Sequence, residues 1–378
     1  MNVIKIIMAA RCEAAGRDAN EDNYQLSDNL ADNQWSFKTD NEVELGEKGA
    51  LLVVCDGMGG MNAGEVASQL AVETVKEWFS SERLTSEVTA DAASIKQYIE
   101  NAIVAADTII KREGSRDRSK EGMGSTIVLA WIIRQSVFIG WCGDSRAYRF
   151  NAEFGLQRLS HDHSYVQQLV DSGMLSEASA FNHPNSNIIT RSLGDPFKTA
   201  LPETMEFPLN DGDVIMLCSD GLSGVLRDNE LETVIRQHAT DMESCRDALW
   251  EAARQADWND NVTIGLCRIV SESEQFDPEQ TTIAEQTTIA EQTIIAEQHL
   301  TVVEPNPILA TQPPPIPEQA PEQSVQKPEH SVQTSGKWFL KPPVKKNHIK
   351  YLWNLAWFLG GMATGYILNL LFDRLFMK

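Results

Sequence analysis

Five short runs place a carboxylate where an apolar or small-residue segment ends: Asn20-Glu21-Asp22, Val54-Cys55-Asp56-Gly57, Cys142-Gly143-Asp144-Ser145, Cys218-Ser219-Asp220-Gly221 and Asp257-Trp258-Asn259-Asp260-Asn261. In each Asp-Gly pair an apolar strand is expected to deliver the carboxylate to its end, and glycine to let the backbone turn sharply. One such pair is an ordinary turn. Five such carboxylate runs in one domain suit Mg²⁺ or Mn²⁺, hard cations that take oxygen ligands and keep several waters. Two such ions about 4 Å apart can activate a water and clamp a phosphoryl group. Spacing alone leaves open whether the five runs converge.

The elements that must position them can be read from hydrophobic periodicity. Strands are expected over Ala50 to Cys55, Ser125 to Ile133, Val137 to Cys142, Val214 to Cys218 and Val262 to Ile269, each β-branched or apolar and flanked by Gly, Asp or Asn. Helices are expected over Gly64 to Ser80, Ser94 to Glu113, Tyr165 to Ser172, Asp228 to Ala239 and Met242 to Asp257, where apolar residues recur near every 3.6 positions. The run IVLAWIIRQSVFIGWCG, broken at Arg134-Gln135-Ser136, predicts a hairpin. That pattern favours an antiparallel α+β domain over a parallel doubly wound one. A sandwich of two antiparallel sheets with helices outside accommodates a single domain over residues 1–270.

Bulk properties narrow the chemistry. The chain of 378 residues has a net charge of −22 and is 42% hydrophobic. Up to residue 270 there are 24 Lys+Arg against 42 Asp+Glu, a balance of −18, which argues against nucleic acid as a partner. Six cysteines, none in a C-x-x-C pair, lie mostly inside apolar runs and are expected to be buried thiols of a reducing compartment. The opening MNVIKIIMAARCEAAG is expected to be a first strand and no signal peptide, which places the body in the cytoplasm.

After Ser271 the composition changes to Glu, Gln, Thr and Pro, with TTIAEQ at Thr281 and Thr287 and TIIAEQ at Thr293. Residues 271–349 are expected to be a disordered linker, since they hold too little apolar surface to fold alone. The hexads read as a spacer; a phosphorylation platform is the alternative. Residues 350–372 are expected to form one transmembrane helix: Tyr351 to Phe372 carries no charged residue and is long enough to cross a bilayer. Lys337, Lys341, Lys345, Lys346 and Lys350 precede it and only Arg374 and Lys378 follow, so the positive-inside rule keeps the body cytoplasmic. Gly361 and Gly365 have the GxxxG spacing of paired membrane helices; a helix packed with no partner is the alternative, since Gly is common in membrane helices.

The carboxylate runs, taken in order, carry a resemblance. Arg17-Asp18-Ala19-Asn20-Glu21-Asp22, VCDGMGG at Val54, GEVAS at Gly64, Gly124-Ser125-Thr126, GDSRAYR at Gly143, LSHDHSYVQQLVDSG, HPNSNIITRSLG, SDGL at Ser219 and DNVT at Asp260 resemble the metal-dependent protein phosphatase (PPM) family. These are the type 2C serine/threonine phosphatases, and the likeness runs from about Ile4 to Ile269. It implies two Mn²⁺ or Mg²⁺ ions at one end of the sandwich. Asp56 bridges both ions in this reading, the Gly57 carbonyl and Glu21 serve one, and Asp220 and Asp260 hold the other. Asp22 supports the cluster, Asp144 takes a third, weaker ion, and Arg17 grips the substrate phosphate with its guanidinium fork. The implied reaction is direct attack of a metal-bridging hydroxide on phosphoserine or phosphothreonine, with no phosphoenzyme.

The chain departs from the family pattern in three places. Met58 stands where eukaryotic members have a histidine, so a metal-bound water is left to protonate the leaving group; His161 and His163 are expected to fix a substrate flap. Gly224 replaces an aspartate common after SDGL, which lowers the expected affinity for the third ion. Residues 27–49 form a longer acidic connection with no functional account. The implied partners are phosphorylated proteins and a bacterial Ser/Thr kinase, with the membrane reached through the C-terminal helix at the inner membrane. A phosphatase-fold binding module without chemistry is the rival reading, and small phosphate esters are rival substrates.

Overall fold

In chain order the strands are β1 (Ile4–Glu13), β2 (Asp22–Ser27), β3 (Val43–Glu44), β4 (Ala50–Met58), β5 (Gly124–Ser125), β6 (Ile127–Ile133), β7 (Ser136–Cys142), β8 (Arg146–Asn151), β9 (Gly155–Arg158), β10 (Glu203–Pro208), β11 (Val214–Cys218) and β12 (Val262–Ser271). The helices are α1 (Ala63–Trp78), α2 (Ala92–Arg116), α3 (Tyr165–Asp171), α4 (Glu177–Phe181), α5 (Asp220–Ser223), α6 (Asp228–His238) and α7 (Met242–Ala256). The computed structural model describes residues 3–37, 41–59, 63–257 and 259–271. The expected linker, its hexads and the expected membrane span lie outside the described residues. Among the described residues no helix is long and apolar enough to cross a membrane.

Two sheets form, ordered β3-β1-β12-β11-β8-β9 and β10-β7-β6-β4-β2, with β5 paired to β4. Every strand pairing is antiparallel. The sheets stack face to face, with α1 and α2 over the second and α6 and α7 over the first. This layering explains why the strands read as continuous apolar runs: both faces of a central strand are covered. Along β4, Leu51, Val53 and Cys55 pack toward α1 and α2, while Ala50, Leu52 and Val54 fill the space between the sheets. Along β11, Ile215 and Leu217 join that central layer, while Val214, Met216 and Cys218 meet α6 and α7. The helices bury matching stripes, Ile95, Ile99, Ala102, Ile103, Ala106 and Ile110 on α2, and Met242, Cys245, Leu249 and Ala253 on α7.

The expected hairpin is present with a tighter turn. Ile133 pairs with Ser136, so the loop is the two residues Arg134-Gln135, with Arg134 in the left-handed region at φ 56°. All six cysteines are free thiols, five of them buried. The described parts of the 27–49 connection pack against the body. Leu30 enters the helix-side core with Trp35 beside it, β3 extends the first sheet, and the Lys48 carbonyl accepts a hydrogen bond from the buried Trp131 indole at 2.9 Å.

Candidate active site

Register places the first two carboxylates. In the β2–β4 ladder Asp22 lies directly opposite Asp56, so both side chains leave the same face at neighbouring positions. Like charges so placed repel unless a proton or a cation offsets them. The other sheet supplies the second pair: β11 and β12 run antiparallel, and Asp220 follows the end of β11 while Asp260 precedes the start of β12. The four aspartates meet at one end of the sandwich, two from each sheet.

Electrostatics shows how closely they crowd. Burial, then the charges of Asp22, Asp220 and Asp144, push the Asp56 carboxyl well above the usual carboxylate range, and it shares a hydrogen bond with Asp220. Asp220 is raised by burial and by Asp260. Asp144 is pushed well up by burial and by Asp220 and Asp162. Asp22 is pushed up to about 7 by burial against the pull of two hydroxyl donors. Those donors are Ser219 Oγ and Thr263 Oγ1, each 2.7 Å from Asp22 Oδ2. The remaining oxygens, Asp22 Oδ1 and Asp144 Oδ1, are buried without a hydrogen-bond partner. Unpaired, mutually repelling oxygens with no nitrogen or sulfur among them fit a hard divalent ion. Among the described residues no three His, Cys, Asp or Glu side chains gather as a cage for a single ion. Ions that keep several waters and bind through one or two carboxylates need no such cage.

The backbone is fixed by residues the sequence reading passed over. Thr126 Oγ1 accepts from Asp56 N at 3.0 Å and meets Ser145 Oγ at 2.7 Å, tying the Asp56 strand to the Asp144 turn. Asn261 Nδ2 donates to Ala14 O and Ala19 O at 3.0 and 2.9 Å, and its Oδ1 accepts from Glu21 N at 2.8 Å. One amide thus holds the loop that carries Arg17 and Glu21. Ser68 Oγ donates to Glu21 O at 2.6 Å from α1. These residues stand inside or beside the quoted motifs, and that position was the one signal that could have flagged them.

The glycines differ from expectation. Gly57 lies within β4, Gly221 lies within α5, and neither has positive φ. Their work is close approach: a Cβ on Gly57 would sit 2.2 Å from Gly64 O and 2.4 Å from Glu21 O, and one on Gly221 would sit 2.0 Å from Asn261 O. Gly64 is needed for the same reason, since its Cβ would fall 2.8 Å from the Gly57 carbonyl carbon. Glycine here lets three segments touch at the site.

Arg17 is exposed and pairs through Nη2 with Asp260 Oδ2 at 2.7 Å, beside the carboxylate cluster. His163 is buried, with its Nδ1 accepting from Gly143 N at 3.1 Å and its Nε2 near Arg191 and Glu203, both at 3.2 Å. His161 pairs with Asp171 on α3 at 3.0 Å. Both histidines are thereby engaged at the root of the segment between β9 and β10, as expected of loop-fixing residues.

A model of the family described as protein phosphatase 2C matches residues 15–262, which hold all eight proposed site residues. The chain belongs to the protein phosphatase 2C family. It is a protein serine/threonine phosphatase. The chain is 32% identical over 220 residues to the serine/threonine phosphatase stp of Listeria innocua, an alignment covering 58% of this chain and 84% of that one. Among solved structures, the serine/threonine phosphatase Stp1 of Staphylococcus aureus aligns with TM-score 0.59 and 30% identity, over 69% of this chain and 94% of that one. The catalytic domain of a serine/threonine protein phosphatase PstP, in complex with two manganese ions, aligns with TM-score 0.57 and 26% identity, over 71% of this chain and 99% of that one. The phosphatase fold expected from the sequence, two antiparallel sheets flanked by helices, is the one found.

The raised carboxyls of this phosphatase make its cation-free stability depend on pH. Without a cation, a carboxyl whose pKa is higher folded than unfolded makes the folded state bind more protons, so stability falls as pH rises from about 4 through the raised values. With Asp22 near 7, the EDTA-treated protein should melt higher at pH 6 than at pH 8. Excess Mn²⁺, which binds the ionised carboxylates, should flatten or reverse that slope. Equal slopes with and without Mn²⁺ in a thermal melt would show that the cluster does not bind the ion.

Proposed function

We propose that this phosphatase hydrolyses phosphoserine and phosphothreonine in proteins by direct attack of water, with two Mn²⁺ or Mg²⁺ ions as cofactors. The observation that carries the reading is the meeting of Asp22, Asp56, Asp220 and Asp260 from two sheets without enough positive charge to offset them. Asp56, at the junction of the two halves of the cluster, would serve both ions. The Gly57 carbonyl and Glu21 would belong with one ion, and Asp220 and Asp260 with the other. Asp22 orients the cluster from behind, held by Ser219 and Thr263. Asp144, with its orphaned Oδ1, is the place for a third, weaker ion. When bound, such ions supply an activated water and charge for the phosphoryl oxygens.

Arg17, paired with Asp260 at the edge of the cluster, would hold the phosphate through its guanidinium fork. No cysteine takes part: burial pushes the Cys142 and Cys218 thiols up to about 12, far from nucleophilic thiolates. Met58 has no proton to give, so the leaving alkoxide takes one from water.

By the same proposal the phosphatase opposes a Ser/Thr kinase at the cytoplasmic face of the inner membrane, tethered by one helix over residues 350–372 behind a linker over residues 271–349. The charge-free run Tyr351 to Phe372 and the lysines before it support this placement. Recovery of the chain in the soluble fraction of lysed cells would refute the tether.

The direct test follows phosphate release from a phosphothreonine peptide. Release is expected with Mn²⁺ or Mg²⁺ and none with EDTA. Release that persists in EDTA would overturn the metal mechanism.

A further inference from the structure

A cleft of about 310 Å³ opens beside the carboxylate cluster, between the β9–β10 segment and the α5–α6 junction. Asp144 and Asp220 line its inner end, so the cleft is continuous with the proposed metal site. Val166 and Val170 of α3 and Ala178 and Phe181 of α4 supply apolar wall. Arg227, the residue before α6, faces them from the body. Its guanidinium carbon lies 4.2 Å from the centre of the Phe181 ring. Stacking of this kind fixes the plane of the guanidinium and leaves its edge N–H donors available.

The other charges lining the cleft are largely matched. Arg146 binds Asp162 through Nε and Nη2 at 2.7–3.0 Å. Asp228 accepts from Tyr148 OH at 3.0 Å and lies 3.9 Å from Arg146. Arg158 lies 3.9 Å from both Asp162 and Glu177. Asp144 and Asp220 face the proposed ions. Among the described residues no carboxylate pairs with the Arg227 guanidinium; its backbone N–H alone reaches one, donating to Glu230 Oε2 at 2.7 Å. A half-buried, oriented guanidinium with free donors, set in a cleft next to a phosphate-handling site, is a receptor for a second anion.

We propose that this cleft receives a side chain of the substrate protein that flanks the phosphorylated residue, and that Arg227 selects an anionic one, a carboxylate or a second phosphate. Arg227 is then a specificity residue whose contribution appears in KM. The proposal rests on the metal-dependent reading above, and its test separates the two.

The full-length protein with Mn²⁺ is assayed on phosphothreonine peptides carrying glutamate two residues before and two after the phosphothreonine, on their glutamine counterparts, and on counterparts with a second phosphothreonine at those positions. The glutamate and doubly phosphorylated peptides are expected to exceed the glutamine peptides by about tenfold in kcat/KM, an advantage lying in KM and shrinking as salt is raised. Arg227→Gln is expected to bring the ratio below about twofold, and Arg227→Lys to keep about threefold. Because the readout is a ratio within one variant, a general loss of activity cancels. A wild-type ratio near one overturns the proposal, as does an unchanged ratio in Arg227→Gln; the latter assigns Arg227 to stapling α4 alone. Hydrolysis of p-nitrophenyl phosphate, too small to span both sites, reports on the metal-dependent reading. Its absence in the wild type with Mn²⁺ would sink that reading, whereas its presence beside a flat peptide ratio sinks only the cleft.

Discussion

Asp56→Asn is expected to abolish turnover while making the cation-free protein more stable. The Asp56 carboxyl is crowded by Asp22 across the β2–β4 ladder and by Asp220 and Asp144, and these charges together with burial hold its pKa well up. An amide keeps the shape and removes one charge from the repelling group. Relief of that crowding is expected to add about 1–2 kcal/mol to cation-free stability, or about 2–8 °C in Tm for a body of this size. The same change removes the one carboxylate shared by both proposed ions, and kcat should fall on the order of 10³-fold. Melting in EDTA and in Mn²⁺ separates the two effects: the variant should gain in EDTA and lose the further rise that Mn²⁺ gives the wild type. A variant less stable than wild type in EDTA would mean that Asp56 is held by partners other than a cation.

Gly221→Ala is expected to be the most damaging one-methyl addition near the site. Its Cβ would lie 2.0 Å from the Asn261 carbonyl oxygen, a backbone atom that cannot rotate away. Relief demands that α5 and the segment before β12 move apart by more than 1 Å, carrying Asp220 and Asp260 with them. A cost of about 2–4 kcal/mol in stability and a loss of about 10²-fold in kcat/KM are expected. Gly173→Ala is the control. Gly173 has φ +70°, but nothing lies within 4 Å of a Cβ there, so it tests backbone strain without a clash. If both variants behave alike in melting and turnover, close approach is not what Gly221 provides.

Much of this architecture was legible because the layers are simple. Strands covered on both faces, such as β4, β6 and β11, read as unbroken apolar runs, and β11 spans the expected Val214–Cys218. The short strands β8, β9 and β10 were not anticipated: ETMEFP in β10 is an exposed, acidic edge with little periodicity. The convergence of the carboxylates was beyond local pattern, since it depends on the pairing of Asp22 with Asp56 and of β11 with β12. Their order along the chain carried the resemblance, while their meeting is a property of register. The Asp-Gly pairs were expected to turn the chain, yet Gly57 and Gly221 serve close approach. Asn261, Ser68, Ser219, Thr263 and Thr126 had no signal of their own. A buried hydroxyl or amide earns meaning only from the carboxylate or loop it faces.

The pairing of β1 with β12 bears on how the protein is made. Ten residues of the first strand find their partners in the last, and the Asn261 amide closes the Ala14–Glu21 loop across some 240 positions of sequence. A nascent chain lacks this closing strand until nearly all of the body has been translated. At 5–20 residues per second, that is on the order of ten to fifty seconds. Throughout that interval β1 lacks its β12 partner, and β11 joins it with an unpaired edge once residues 214–218 have been made; such edges are prone to aggregate. Synthesis interrupted before β12 therefore yields no partial phosphatase. It yields a chain with two sticky edges and an unformed site, whose fate rests with the chaperones and proteases that meet it at the ribosome.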